Sequence, residues 1–351
     1  MSMRVRAAVL AVASIALAGC DTVGYYAQAI GGQAQLWRLM RPVKQVIADP
    51  QSSLELKQRL ELATRIREFA SRELGLPDND SYRSYADLKR RYVVWNVFAT
   101  AQLSVQPKQW CFPVAGCVAY KGFFNKTQAE KFAAQLRGDG LDVFVGGVPA
   151  YSMLGYFDDP LLNTFIHYRP AELARLVFHE LAHQVAYARD DTQFNESFAV
   201  TVAREGVRRY LLKHGSTEEL QAFEQSLKRR AAFHAIAEKY RHKLEELYQS
   251  AASDESKRAQ KAEIFSAMAR EYAELKKSWG GFNGYDRWLG EHANNASLAS
   301  IAVYTQLVPA FQGLLAKLGG DLPRFYAQVK RLADLPKDER RARLAEYGDV
   351  Q

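Results

Sequence analysis

The sequence predicts a predominantly helical α+β fold in which a small β-sheet packs against a helical core and a long helical hairpin follows toward the C-terminus. Three observations carry that expectation. Apolar residues recur at helical spacing near the start, as in Leu56, Leu60, Ala63, Ile66 and Phe69. Between Arg91 and Gly155 the pattern gives way to short runs rich in β-branched and aromatic residues. Beyond Ser216 two long charged amphipathic stretches run as far as Gly280 and Gly281.

Residues 1–19 read as a leader peptide. Arg4 and Arg6 precede an uncharged run from Ala7 to Leu17, too short for a bilayer helix of roughly 20 residues. Leu17-Ala18-Gly19-Cys20 then has the form of the lipobox of bacterial lipoproteins, in which the cysteine is acylated and becomes the first mature residue. Cysteine arithmetic agrees, because the chain has 3 cysteines and an exported protein would otherwise keep an odd thiol. With Cys20 lipidated, Cys111 and Cys117 are left as neighbours able to close a small disulfide ring in an oxidising compartment. The expected location is the cell envelope on its periplasmic side, anchored to a membrane by lipid, with inner or outer membrane left open.

The rest divides into four regions. An N-terminal helical region covers 20–90, with Asp49-Pro50 breaking it into two helices. Residues 91–215 hold the sheet, from Tyr92 to Phe98, Val118 to Tyr120 and Leu141 to Val145, with a crossover helix near Thr127 to Leu136. A helix begins at Pro170, with Glu172 in its first turn. The hairpin occupies 216–281, opened by Ser216 and Glu219 as a capping box, and residues 282–351 form a C-terminal helical region expected to complete the active site.

The formal charge of +8, two of it from the leader arginines, is modest, and no basic run is interleaved with aromatics. That pattern excludes a nucleic-acid stripe and leaves a solvated surface.

The chemistry lies in His179-Glu180-Leu181-Ala182-His183. On a helix the two imidazoles project from one face and reach one metal ion, while the glutamate is the general base of a zinc-dependent peptidase. A catalytic zinc takes a third protein ligand and keeps one position open. The metzincin pattern requires glycine at 186 and histidine at 189, where this chain has Ala186 and Arg189. Two acids remain. Glu196 lies at the start of a second helix, expected to begin with Asn195 as its N-cap. Asp191 is the rival, or a partner orienting His179 or His183.

Several segments resemble a known family, the predicted aminopeptidases of bacterial lipoprotein type, related to the gluzincin metallopeptidases. They are Trp110 to Cys117, Gly147 to Ser152, Phe157 to Leu162, His179 to Gln184 and Asn195 to Ala199. The resemblance implies a zincin-like catalytic core and one zinc ion, with Glu196 as the third ligand. Two departures matter. The third-ligand glutamate of the wider gluzincins usually lies further along the chain, and the Gly-x-Met-Glu-Asn exopeptidase signature is absent.

The expected reaction is hydrolysis of a peptide bond by a zinc-activated water, with Glu180 as general base. Tyr304 is the candidate donor to the oxyanion. Gly147, Val148, Pro149, Ala150 and Tyr151 are candidates for an edge strand that binds extended peptide through its main chain. Asp158 and Asp159 are candidates for a substrate ammonium, and adjacent acids before proline are equally ordinary turn chemistry. The alternatives are an endopeptidase or oligopeptidase of the same chemistry, and a non-catalytic metal-stabilised lipoprotein that organises partners. A structural metal site needs ligands and no base, so Glu180 counts against the last.

Overall fold

A computed structural model describes residues 24–112, 116–150 and 156–348. Cys20 and Tyr151, and with them the lipidation site and one residue of the expected substrate strand, lie outside the described residues.

The N-terminal region begins with helix α1 (residues 24–39), followed by the short strand β1 (Arg41–Pro42), α2 (Val43–Ala48) and α3 (Leu54–Arg72). The break expected at Asp49-Pro50 is present, and a second occurs at Pro42, whose missing amide hydrogen bars it from a helix interior. Ser53 caps α3 by accepting a hydrogen bond from the Leu56 amide. The spacing seen in the sequence buries Leu60, Ala63, Ile66 and Phe69 on one face of this helix, each large side chain contributing about 1.5–3 kcal/mol. Arg67 of the same helix is buried and fully used. Its Nε donates to the Ser81 carbonyl at 2.8 Å and its Nη2 to those of Pro77 at 2.8 Å and Asn79 at 3.0 Å, which pins the loop leading to β2 (Ser84–Ala86).

The main sheet is built around β3 (Val94–Ala101), buried on both faces except at its last residue. Next come β4 (Trp110–Phe112), β5 (Gly116–Val118), β6 (Lys121–Phe123), α4 (Lys126–Gly138) and β7 (Leu141–Val148). β3 pairs antiparallel with β6 on one side and β7 on the other, and α4 crosses between those two outer strands. Ala129, Ala133 and Leu136 of α4 pack on Val97, Ala99 and Val143, so the crossover helix lies where the sequence places it. β4 and β5 form a hairpin closed by the Cys111–Cys117 disulfide. A second, three-stranded sheet joins β1, β2 and β8 (Leu161–Leu162), with β2 and β8 parallel.

Helix α5 (Pro170–His183) and helix α6 (Thr192–His214) are the centre of the molecule. Phe178 of α5 and Phe194 and Phe198 of α6 are wholly buried. Gly206 allows the two helices to close: a Cβ there would meet the Phe178 ring at 2.8 Å and Leu74 at 2.7 Å. The boundaries differ from the sequence expectation. α5 ends at His183, and α6 starts three residues before Asn195, with Asp191 rather than Asn195 as its N-cap. Asp191 accepts from the Phe194 amide at 3.2 Å, whereas Asn195 lies in the first turn and clasps Ala188, donating to its carbonyl at 2.8 Å and accepting from its amide at 2.7 Å. Both residues are good caps by type. The buried ion pairs that hold Asp191, described below, fix which one takes the position.

The hairpin consists of α7 (Thr217–Gln249), opened by the Ser216–Glu219 capping box, and α8 (Asp254–Ser278). It wraps the body rather than projecting from it. Ile236, Tyr240, Leu244 and Met268 share a core with Val105 and Leu298, and the Lys261 ammonium bonds Asp142 at 2.6 Å. After α9 (Asp286–His292) come α10 (Asn295–Thr305), α11 (Val308–Lys317), α12 (Leu322–Ala333) and α13 (Lys337–Ala345). Residues Asn295–Lys317 are long and apolar enough to cross a membrane, and burial in the core accounts for that composition, with Ala296, Leu298, Phe311 and Leu314 each at most 1% exposed.

Candidate metal centre

His179 and His183 stand one turn apart on α5, and α6 returns antiparallel so that Glu196, in its first turns, faces them. The Nε2 atoms of the two histidines are 3.3 Å apart, and the Glu196 Oε2 lies 3.2 Å from that of His179 and 3.6 Å from that of His183. The three side chains are about nine-tenths buried. Three acceptor-capable atoms turned on one another in a dry site are the donor set of a cation, and among the described residues this is the group that could hold a metal ion. The Nδ1 atoms of both histidines are buried without a hydrogen-bond partner, so the outer side of each ring carries no orienting carboxylate or carbonyl among the described residues.

Electrostatics follow from this enclosure. Burial would raise the Glu196 carboxyl, but the charges and hydrogen bonds of His183 and His179 outweigh it and hold the group down to about 2. Burial lowers His179, while for His183 the attraction of Glu196 overcomes burial and raises it. Glu180 is buried on the same helix, and desolvation, reinforced by Glu196 and Asp159 against the opposing charge of His183, pushes its carboxyl up to about 8.

Asp191 stands apart from these donors. Its carboxylate is wholly buried and is held by Arg340 Nη1 at 2.8 Å and Arg341 Nε at 3.0 Å, both from α13. It is therefore neither a third ligand nor a partner of the histidines, and that alternative is corrected. The neighbouring Asp190 has a positive φ of 63° and accepts from the Cys117 amide at 2.5 Å, so the disulfide hairpin rests on the loop joining α5 and α6.

Of the other residues anticipated from sequence, Tyr304 lies within electrostatic reach of Glu196 and Glu180. Burial first, then the charges of Glu196 and Glu180, push its hydroxyl well above the ordinary range. Gly147 and Val148 end β7, whose outer edge is unpaired among the described strands. Pro149 and Ala150 lie beyond the strand, with the Pro149 carbonyl accepting from the Thr164 hydroxyl at 2.6 Å and Ala150 buried. Asp158 is exposed and Asp159 is buried, the latter close enough to raise Glu180 and accepting from Gln184 Nε2 at 3.4 Å.

Sequence reading missed three tyrosines and an arginine. Tyr120 is half-buried within electrostatic reach of Glu196 and Glu180, and desolvation raises its hydroxyl strongly. Tyr187 is raised to about 12 by burial and by Glu196. Tyr82, at a positive φ of 64°, has its hydroxyl buried without a hydrogen-bond partner and feels Asp159 and Glu180. Nothing local in the sequence marks these residues. Arg175 did leave a signal, since it precedes His179 by one turn on the same face.

Comparison with known proteins adds one result. The profile of a family described as "Putative aminopeptidase" matches residues 24–344, nearly the whole described chain. No curated protein and no solved structure matches.

Proposed function

Because the chain belongs to the family described as "Putative aminopeptidase", a membership that implies peptide substrates, we propose that it is a zinc-dependent aminopeptidase, held at the bacterial cell envelope by a lipidated Cys20. The convergence of His179, His183 and Glu196 beside a buried Glu180 carries this reading. Zinc bound by nitrogen and oxygen at about 2.0–2.1 Å in a tetrahedron needs donors about 3.4 Å apart. The separations of 3.2, 3.3 and 3.6 Å fit that requirement. Two imidazoles and one carboxylate also leave the open position that a catalytic site needs.

When bound, zinc supplies Lewis acidity toward the scissile carbonyl and lowers the pKa of water toward neutrality. With the charge of a bound cation favouring its ionised form over the raised value near 8 of the metal-free site, Glu180 takes the proton of the attacking water on a carboxylate oxygen and gives it to the departing amine nitrogen as the C–N bond breaks. Its burial excludes bulk water as a competing proton donor. Tyr304 and Tyr120 offer hydroxyls kept protonated by burial, and each is suited to donate to the oxygen that gains charge. The free edge of β7 at Gly147 and Val148 offers main-chain groups to an extended peptide.

The test is metal content together with a peptide screen. The purified mature protein should carry about one zinc per chain. Glu180→Gln should keep the metal and lose hydrolysis by about a hundredfold or more. Absence of metal after gentle purification, with no uptake on adding zinc, would sink the reading. Cleavage of N-blocked peptides as fast as free-amine peptides would leave zinc chemistry standing and make the protein an endopeptidase.

A further inference from the structure

We propose that Arg175, Arg204 and Arg230 form an anion subsite beside the metal centre that binds a carboxylate of the substrate peptide, an assignment that rests on the peptidase reading for the identity of its ligand. The three residues come from different helices. Arg175 is on α5 one turn before His179, Arg204 is on α6 two turns beyond Glu196, and Arg230 is carried in by α7 of the hairpin. Their charges act on one another across the gap between the helices, and that of Arg175 also reaches His179 and Glu180.

Counter-charge is scarce there. Glu172 pairs with Arg175 at 2.8 Å and also faces Arg230, as does the hydroxyl of Tyr285. Arg204 makes no ion pair and no hydrogen bond among the described residues, and its Nε is buried with no partner. The Nε of Arg229, one residue before Arg230, is likewise buried and unpartnered, while its guanidinium lies over the Phe282 ring at 4.9 Å. Glu172 thus answers the charges of Arg175 and Arg230, and no carboxylate among the described residues answers that of Arg204. His234, one turn along α7, adds no charge near neutrality, because burial and then Arg230 and Arg204 push its pKa down to about 4. Burial, followed by the repulsion of Arg230 and Arg175, likewise depresses Arg204 to about 10.

Buried donors are normally paired, and clustered like charges oppose the fold, so such an arrangement is suited to a ligand that brings the missing charge. A planar carboxylate matches the guanidinium fork with two hydrogen bonds. The spacing suits a short peptide. One to two helical turns from the metal donors is about 5–11 Å, the span of two or three extended residues at about 3.3 Å each. That carboxylate comes either from the C-terminus of a di- or tripeptide or from an acidic side chain near the scissile bond.

Matched peptides separate the two sources. Hydrolysis of Ala-Ala-Ala is compared with its C-terminal amide, and Ala-Ala-Glu-amide with Ala-Ala-Gln-amide. Binding of the same four peptides to the zinc-loaded Glu180→Gln protein is measured by calorimetry. In one pair or the other the anionic member should be favoured about tenfold or more, in kcat/KM and in affinity. Arg204→Gln and, independently, Arg230→Gln should bring that ratio toward one, with circular dichroism confirming the fold. A preference in the first pair assigns the C-terminal carboxylate, and one in the second the side chain. Hydrolysis without an anionic preference in either pair, or a preference that both substitutions leave intact, overturns the subsite while the peptidase reading stands. Carboxylate-dependent binding with no hydrolysis by the unsubstituted protein overturns the peptidase reading and keeps the subsite. Neither binding nor hydrolysis of any of the four overturns both.

Discussion

Glu196 and Asp191 lie at the head of one helix, both buried and both with carboxyl pKa values below the ordinary range, yet they are balanced in different ways. Asp191 faces the guanidinium groups of Arg340 and Arg341 and caps the helix through the Phe194 amide. Its partners carry permanent charge, and its oxygens are satisfied within the protein. Glu196 faces two imidazoles whose charge depends on pH and whose lone pairs point at the same spot as its own. An acid whose hydrogen-bond partners are themselves acceptors when neutral could take a cation. An acid held by arginines is holding two parts of the chain together. The kind of partner, rather than burial or pKa, distinguishes a carboxylate that could take a metal ion from one that holds the fold together.

The largest effect that could break this distinction is on metal affinity. Glu196→Ala should weaken zinc binding by about a thousandfold or more, because it removes a charged ligand oxygen, whereas Asp191→Ala should cost no more than the roughly 10- to 100-fold typical of a residue beyond the ligands. Chelator competition measures both. Loss of metal in Asp191→Ala with retention in Glu196→Ala would reverse the assignment and remove Glu196 from the centre.

The sequence made one of these roles far more legible than the other. His179, Glu180 and His183 are readable because a helix fixes the relation of residues four apart, so spacing alone places two donors on one face. Glu196 is readable up to a choice, since a helix must follow a short turn and offers either Asp191 or Glu196 to the metal. What decides between them is Arg340 and Arg341, about 150 residues along the chain, and no local pattern announces that they return to the head of α6. The same contact explains the misplaced N-cap, because Asp191 and Asn195 have equal local propensity and only tertiary charge tells them apart. Tyr120 and Arg230 were invisible for a similar reason. Each is brought near α5 and α6 by an element whose docking depends on the sheet or the hairpin rather than on its own sequence. The β-rich run from Arg91, the crossover helix and the hairpin were legible because each carries its own periodicity.

Stability gives the next contrast, in the opposite sense. Asp191→Ala strands two arginines in a buried site and should destabilise the metal-free protein by about 3–5 kcal/mol. Glu196→Ala should cost less, since residues arranged for function are seldom optimised for stability. Urea unfolding of the two variants beside the unsubstituted protein measures the difference. Equal losses would mean that Glu196 also serves the fold, and the contrast would then rest on metal binding alone.

The smallest effect expected is the pH dependence of that stability. Burial works to raise the Asp191 carboxyl, but Arg341 and Arg340 prevail and hold it below its ordinary value. With a folded pKa below the unfolded value of about 3.9, its contribution is fully present above that value and is lost as the pH falls through the folded pKa. Asp191→Asn keeps the shape and some of the hydrogen bonding but has no proton to take up. The variant should be less stable than the unsubstituted protein near neutrality, and the gap should narrow as the pH falls below about 4, because only the unsubstituted protein is losing this contribution. Glu196 adds its own acid limb to both proteins and cancels in the comparison. Urea midpoints of the metal-free proteins, taken in steps from about pH 6 to about pH 3, give the gap directly. A gap that stays constant over that range would show that the Asp191 carboxylate is no more stable folded than unfolded, and that the arginines hold α13 by their stems and carbonyl contacts instead.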